Sequence, residues 1–149
     1  MRIAVDSNVL LYAEGLNDAE RMAVARDVLD RIPKRRGVVS VQALGECFQL
    51  LTRKGGRDAT GVREMIAQWS RVYDTQETSI EVFSAAVEIA ARHKLQIWDS
   101  VILAAAAEAN CTILLSEDMQ SGFRWRDVTI VNPFSPQEHP LLTAALDPA

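Results

Sequence analysis

The sequence predicts an α/β protein in which helices cover both faces of a central parallel sheet. Short apolar runs that suit buried strands alternate along the chain with longer segments whose apolar residues recur at helical spacing. No internal linker interrupts this alternation. Strands that alternate with helices form parallel sheets, because each helix carries the chain back to the end of the sheet where the next strand begins.

The first third of the chain predicts two strands and two long helices. Residues 3–5 form a short apolar run, and Asp6-Ser7-Asn8 after it favours a helix start, since these three residue types are common caps. A helix is expected over residues 18–32, where Pro33 ends it, and residues 38–39 form a second strand. Ser40 caps a helix that runs to Lys54 before two glycines. Its predicted apolar face comprises Val41, Leu44, Cys47, Phe48 and Leu51.

The remainder repeats the pattern. A helix is expected over residues 58–73, and Thr78 with Glu81 forms a capping box that opens another helix. Its predicted inward residues are Phe83, Ala86, Val87 and Ala90. Trp98-Asp99-Ser100 opens an alanine-rich helix over residues 101–109. Further strands are predicted at residues 112–115 and 128–131, with a weaker one near 72–75. We therefore expect one domain over residues 1–134 and a C-terminal tail over 135–149, either disordered or packed on a partner.

Composition excludes some classes of protein and limits others. The 149 residues are 48% hydrophobic and 24% charged, which is ordinary for a globular domain. The chain shows neither an apolar run long enough to span a membrane nor a signal peptide, so we expect a cytoplasmic protein with reduced Cys47 and Cys111. The net charge of −4 is unusual for a nucleic-acid binder. An RNA substrate would require local basic patches or metal ions. The candidate basic patches are Lys34-Arg35-Arg36, Arg53-Lys54 with Arg57, and Arg124 with Arg126.

Four acidic residues occupy positions that suit a shared site. Asp6 and Asp118 each follow a predicted strand, and ligands of parallel sheets bind beyond the carboxyl ends of the strands. Asp99 begins a helix whose dipole favours negative charge there. Glu46 lies off the apolar face of its helix, on a mixed face. Simpler interpretations exist, since Asp6 and Asp99 also suit plain N-caps and Glu46 a solvated position. Asp118 also suits an ordinary loop acid, and Glu117 competes with it for any role.

Three or four carboxylates that converge in one cleft must be protonated or neutralised, and a divalent cation is the natural neutraliser. Two carboxylates about 4 Å apart repel by roughly 4 kcal/mol at an effective dielectric constant near 20. No lysine or arginine accompanies the motifs at Asp6, Asp99 or Asp118. Oxygen ligands select hard ions, so the expected cation is Mg²⁺ or Mn²⁺. His93 and His139 are isolated, which indicates surface histidines, and no Cys–His spacing supports zinc.

Four motifs and the end of the last predicted strand resemble the PIN-domain family and, within it, the VapC-type toxins of bacterial toxin–antitoxin pairs. Their order and spacing are specific, whereas any one of them alone would be weak evidence. The segments are Val5-Asp6-Ser7-Asn8, Val39-Ser40-Val41-Gln42 up to Glu46, Ile97-Trp98-Asp99-Ser100-Val101-Ile102-Leu103-Ala104, Leu115-Ser116-Glu117-Asp118, and Val131-Asn132-Pro133-Phe134.

The resemblance implies a three-layer α/β/α sandwich and an endoribonuclease that cleaves single-stranded RNA with Mg²⁺ or Mn²⁺. The residues that match the family's metal-binding and catalytic acids are Asp6, Glu46, Asp99 and Asp118. Asn8 and Ser116 match its supporting hydrogen-bond partners, and the position of Ser116 favours Asp118 over Glu117. A homodimer and a cognate antitoxin are also implied. The chain departs from the family at Ser121, where an acid is usual.

The expected function is therefore cleavage of single-stranded or loop RNA by a metal-activated water, with Glu46 or Asp118 orienting that water. Three alternatives remain open. A haloacid-dehalogenase-like phosphatase would use Asp6 as a nucleophile, but Asn8 stands where its second acid belongs. A PIN fold could also bind RNA or protein without cutting. A housekeeping RNA-processing nuclease would share the same acids and chemistry.

Overall fold

A computed structural model describes residues 1–147 and shows a six-stranded sheet flanked by seven helices. This α/β/α arrangement confirms the predicted fold class. The elements are, in chain order, β1 (Arg2–Val5), α1 (Ser7–Ala13), α2 (Ala19–Arg31), β2 (Gly37–Ser40), α3 (Val41–Arg53), α4 (Ala59–Val72), β3 (Asp74–Gln76), α5 (Ile80–His93), α6 (Ile97–Glu108), β4 (Cys111–Leu115), β5 (Arg124–Trp125), β6 (Val128–Val131) and α7 (Pro140–Leu146).

The strand order brings distant parts of the chain together at one edge of the sheet. The order is β3-β2-β1-β4-β6-β5, and all neighbouring strands are parallel except β5 and β6. β1 and β4 are adjacent, with Val5 opposite Leu115. The Asp6 amide donates to the Leu115 carbonyl oxygen at 2.9 Å, which continues this pairing beyond the end of β1. Residues that follow β1 and β4 therefore lie side by side.

The sheet is mixed, whereas the sequence predicted parallel strands alone. β5 comprises only Arg124 and Trp125, and it runs antiparallel to β6. Two residues are too few to show the alternation of apolar and polar side chains that marks a strand. β5 forms because the chain folds back beside β6, which lies next to β4 in the sheet.

The buried faces of α3 and α5 differ from the predicted ones. In α3, Val41 and Phe48 are 51% and 39% exposed, and the buried residues are Ala43, Leu44, Cys47 and Leu51. In α5, Phe83 and Val87 are 36% and 46% exposed, and the buried residues are Val82, Ala86 and Ile89. Both helices bury a face that contains a small residue, Ala43 in α3 and Ala86 in α5, because a small side chain allows close approach to the neighbouring elements.

Two helix starts also differ from prediction. Ser79, not Thr78, caps α5, and its hydroxyl accepts from the Val82 amide at 3.1 Å. α6 begins at Ile97, and the Gln96 side chain accepts from the Asp99 amide at 3.0 Å. Asp99 is therefore a first-turn residue of α6 and not its N-cap.

The segment after Phe134 is partly helical and packs on the body of the protein. His139 caps α7, and its Nδ1 accepts from the Leu141 amide at 3.1 Å. Leu142, Ala145 and Leu146 are buried in the hydrophobic core. The sequence predicted a tail that is disordered or packed on a partner. The helix was not predicted because α7 has only seven residues and the prolines nearby obscure their apolar spacing.

Candidate active site

Four carboxylates from four separate elements line one pocket. Asp6 lies at the junction of β1 and α1, Asp118 follows β4, Glu46 lies on α3, and Asp99 lies in the first turn of α6. The pocket has a volume of about 440 Å³ and opens beyond the carboxyl ends of the central strands. Its lining residues are Asp6, Ser7, Glu46, Gln49, Leu50, Gln96, Asp99 and Asp118. The structure thus brings together all four acids that the sequence singled out.

Hydrogen bonds hold Asp6 in a fixed orientation. Its Oδ2 accepts from the Ser116 hydroxyl at 2.7 Å and from the Asn8 amide at 3.2 Å, while its Oδ1 accepts from the Ser7 backbone N–H at 2.7 Å. Asp6 is therefore the N-cap of α1, but it also faces the pocket. The cap role and the pocket role are compatible because they use different lone pairs of one carboxylate.

Asn8 connects two of the acids. Its Nδ2 also donates to Asp118 Oδ2 at 3.1 Å, and its Oδ1 accepts from the Glu117 backbone N–H at 3.2 Å. Asn8 and Ser116 thus contact the carboxylates as hydrogen-bond partners, in the positions that the resemblance implied for them.

Glu46 is held by two residues that the sequence reasoning did not assign to the site. The Ser7 hydroxyl donates to Glu46 Oε1 at 2.8 Å, and the Gln42 amide donates to Oε2 at 3.3 Å. Gln42 lies one helical turn before Glu46, so i,i+4 spacing could have identified it. Ser7 lies 39 positions away, and no local pattern connects it with Glu46.

The pocket disfavours negative charge in the absence of a cation. Burial raises the pKa of Asp6 to about 7, against the lowering effects of the Ser116 and Ser7 hydrogen bonds, and the charges of Glu46 and Asp99 raise it further. Burial also raises the pKa of Asp99, with added repulsion from Glu46 and Asp118. These four side chains therefore share one electrostatic environment.

The donor set suits a hard divalent cation. The pocket lining contains four carboxylates and no lysine, arginine or histidine, so no side chain in it can neutralise them. Carboxylate oxygens are the donors that Mg²⁺ and Mn²⁺ prefer. Within residues 1–147, no group of three or more Asp, Glu, His or Cys side chains already has the geometry to hold a metal ion. The pocket therefore suits a divalent cation by the chemistry and charge of its carboxylates, and not by a preformed coordination geometry.

Glu117 points away from the carboxylates that line the pocket. Its Oε1 accepts from the Tyr12 hydroxyl at 2.8 Å, and its Oε2 pairs with Arg21 Nε at 2.5 Å. Asp118 lines the pocket instead. Ser121, where the family usually has an acid, accepts a hydrogen bond from the Asn132 backbone N–H at 3.1 Å.

The fold and this site define a class, an α/β/α sandwich with an acidic pocket at the carboxyl ends of its central strands. The PIN domain family model matches residues 3–124, which is most of the chain. The chain belongs to the PIN domain family. No curated protein matches its sequence.

Several solved structures share this fold. VapC20 from Mycobacterium tuberculosis, described as a sarcin-ricin loop cleaving toxin, is 21% identical with a TM-score of 0.64, over 75% of this chain and 86% of that one. A toxin–antitoxin complex from Klebsiella pneumoniae gives 17% identity and a TM-score of 0.68, over 89% and 98% of the two chains. The structure of FitAB bound to the IR36 DNA fragment is 17% identical with a TM-score of 0.67, over 92% of this chain and 99% of that one. At these identities the likeness establishes the fold alone.

Proposed function

We propose that this protein is a Mg²⁺- or Mn²⁺-dependent endoribonuclease that cleaves single-stranded or loop RNA, and that it is the toxin of a toxin–antitoxin pair. The observation that carries the proposal is the single pocket lined by Asp6, Glu46, Asp99 and Asp118. Membership of the PIN domain family supports nuclease chemistry. The similarity in fold to a toxin that cleaves the sarcin-ricin loop supports RNA as the substrate.

The carboxylates would hold the ion and the attacking water. Asp6, Asp99 and Asp118 would bind the cation, with Glu46 beside them. A divalent ion held by these carboxylates would supply Lewis acidity, which would make the attacking water easier to deprotonate and would offset the negative charge that develops on the phosphodiester. Glu46 or Asp118 would orient the attacking water and accept its proton.

The surrounding hydrogen bonds would fix the carboxylates in place. Ser116 and Asn8 restrain Asp6, and Ser7 with Gln42 restrains Glu46. A carboxylate that is already oriented loses little conformational entropy when it binds an ion or a water. These partners would therefore raise metal affinity without touching the RNA.

RNA would reach this acidic pocket with help from exposed basic residues. Arg53 and Lys54 extend α3 beyond Glu46, and both are exposed. Lys34, Arg35 and Arg36 are also exposed, but they precede β2 at the opposite end of the sheet and therefore do not flank the pocket. Phosphate binding by such residues makes affinity dependent on salt, which is the general behaviour of nucleic-acid binders.

We further propose a cognate antitoxin and a homodimer as partners. Toxin–antitoxin complexes among the structural neighbours support the antitoxin. The dimer is supported by apolar side chains that are exposed on α5, namely Ile80, Phe83 and Val87. No helix among the residues described by the structure is long and apolar enough to cross a membrane. We propose the cytoplasm as its location, since Cys47 and Cys111 are both buried free thiols.

RNA cleavage by the purified protein tests the proposed activity. With a tRNA mixture, we expect cleavage in Mn²⁺ or Mg²⁺, none in EDTA, and a fall of about 100-fold or more in Asp6→Asn and Asp99→Asn. Asp27→Asn is the matched control, because it removes a surface carboxylate on α2 and should leave cleavage unchanged. Full activity in both pocket variants, or activity that survives EDTA, would contradict the proposal. Absence of cleavage together with normal RNA binding would favour a non-catalytic binding module.

A further inference from the structure

A cluster of three side chains lies directly beside the pocket without lining it. This Glu117 cluster consists of Tyr12 from α1, Arg21 from α2 and Glu117 from the loop after β4. Glu117 accepts from Tyr12 Oη at 2.8 Å and from Arg21 Nε at 2.5 Å. Three separate elements thus meet at one carboxylate, which is only 19% exposed.

Arg21 is held in place on several sides. Its Nη1 donates to Asp18 Oδ2 at 2.9 Å, so the guanidinium bridges two carboxylates. Its Cζ lies 5.6 Å from the Tyr12 ring centroid and 5.7 Å from that of Phe134. These rings also contact each other edge to face, with centroids 5.1 Å apart. An arginine fixed by two acids and two rings has little rotamer freedom left, so it can act as a rigid anchor for Glu117.

Glu117 connects this anchor to the pocket through its own backbone. Its side chain points to Arg21, while its backbone N–H donates to Asn8 Oδ1 at 3.2 Å. That bond orients the Asn8 amide so that Nδ2 reaches both Asp6 at 3.2 Å and Asp118 at 3.1 Å. Asp118 is the next residue along the chain and is exposed, so neighbouring contacts determine where its carboxylate lies.

The positive charge of Arg21 also affects the pocket, because it pairs with Glu117 beside Asp118. Glu117 is adjacent to Asp118 in sequence, and an unpaired carboxylate there would add to the repulsion among the pocket acids. The ion pair with Arg21 offsets that charge locally. Asp18 and Glu117 accept from Nη1 and Nε of Arg21, so two carboxylates already compensate its charge.

We propose that Arg21 and Tyr12, acting through Glu117, are positioning residues that determine where the Asp118 carboxylate lies relative to Asp6. The inference rests on the function proposed above and names residues outside the acidic pocket that tune it. None of the three would touch substrate or ion. Their effect would appear in metal affinity and in turnover, and not in RNA affinity.

The chain offers a matched control on the same helix. Arg31 on α2 also bridges two carboxylates, Asp27 at 3.4 Å and Glu138 at 3.0 Å. The side chains of Arg21 and Arg31 are both 40% exposed. Arg31 pairs with the segment before α7 and has no connection to the pocket. Arg21→Met and Arg31→Met therefore each remove an arginine of α2 that bridges two carboxylates, one beside the pocket and one away from it.

Calorimetric titration of Mn²⁺ into the metal-free full-length protein, paired with RNA cleavage kinetics, tests the proposal. We expect Arg21→Met to weaken Mn²⁺ binding about 3- to 10-fold and to lower kcat with an unchanged KM for RNA, while Arg31→Met matches the wild type. Glu117→Gln should have a similar effect, and the double variant Arg21→Met with Glu117→Gln should be no worse than either single one. Tyr12→Phe removes one hydroxyl and keeps the ring, so it should fold normally and show a smaller loss of about 2-fold.

The outcomes separate the two proposals. If the wild type binds Mn²⁺ and cleaves RNA but Arg21→Met and Tyr12→Phe both behave like Arg31→Met, the positioning role is overturned and the nuclease remains. A changed KM for RNA with unchanged Mn²⁺ affinity would also overturn it, because Arg21 would then be contacting substrate. If the wild type neither binds Mn²⁺ nor cleaves RNA, the proposed function fails and the positioning role fails with it.

Discussion

At the scale of single residues, Asp6 is the most constrained carboxylate of the pocket. It is 3% exposed, and its two oxygens accept hydrogen bonds from Ser7, Asn8 and Ser116. These bonds favour the charged form, yet burial outweighs them and raises its pKa to about 7. Asp6 is thus a carboxylate oriented for a cation but costly to ionise without one.

This raised pKa predicts how the stability of the metal-free protein depends on pH. An unfolded aspartate has a pKa near 3.9, so between about pH 4 and pH 7 the folded state binds a proton that the unfolded state releases. The free energy of unfolding should therefore fall as pH rises through this window, by about 4 kcal/mol, and level off above it. Urea unfolding in EDTA measures it. Asp6→Asn should lack this component, and parallel pH profiles for the two proteins would contradict the assignment.

At the scale of secondary-structure elements, close packing between β2 and the end of α4 makes a second prediction. Gly37 begins β2, and a Cβ there would lie 2.5 Å from Tyr73 Cδ1 and 2.9 Å from Cε1. Gly37→Ala should therefore displace the half-buried ring and cost about 1–3 kcal/mol in urea unfolding. Gly61→Ala is the control, since a Cβ there meets nothing within 4 Å in helix α4, and it should stabilise by about 0.5–1 kcal/mol. Equal stability of the two variants would contradict this packing.

Helices and strands whose apolar residues recur at a regular spacing were predictable from the sequence, and elements without such a spacing were not. Asp6 and Asp118 each follow an apolar run, so a parallel sheet predicted that both lie at the carboxyl edge of the strands. Their proximity follows from the pairing of β1 with β4, which the structure shows. The sequence predicted Phe48 and Val87 to face inward, because periodicity cannot tell which of two adjacent apolar stripes on a helix is buried. β5 is held to β6 by backbone pairing, and two residues are too few for a side-chain pattern to predict such a strand.

In the candidate site, too, some residues were predictable from local motifs and others were not. Asn8, Ser116 and the four acids lie in motifs short enough to recognise, whereas the Ser7–Glu46 bond joins positions 39 residues apart. The Arg21–Glu117 pair joins positions 96 apart. Contacts between side chains from different elements depend on packing, and a local pattern in the sequence carries no record of them. The hydrogen-bonded surroundings of the pocket therefore emerged only from the structure.

At the scale of the whole molecule, the fold brings together acidic side chains that repel one another. The chain carries a net charge of −4 and concentrates four carboxylates in one pocket, while its exposed basic residues lie elsewhere. Asp6 and Ser116 are 110 positions apart, yet they share a 2.7 Å hydrogen bond at the centre of the sheet edge. A polar buried site of this kind costs stability unless a ligand compensates for it. A divalent cation is the compensation that the donor chemistry favours.

The most direct test of this account is a crystal of the protein soaked in MnCl₂ and measured for anomalous scattering from manganese. We expect an anomalous peak inside the pocket, within coordinating distance of carboxylate oxygens of Asp6 and Asp99, and its loss in an Asp99→Asn crystal soaked in the same way. A pocket without any peak at a saturating Mn²⁺ concentration would contradict the central claim. So would a peak that persists unchanged in the Asp99→Asn variant.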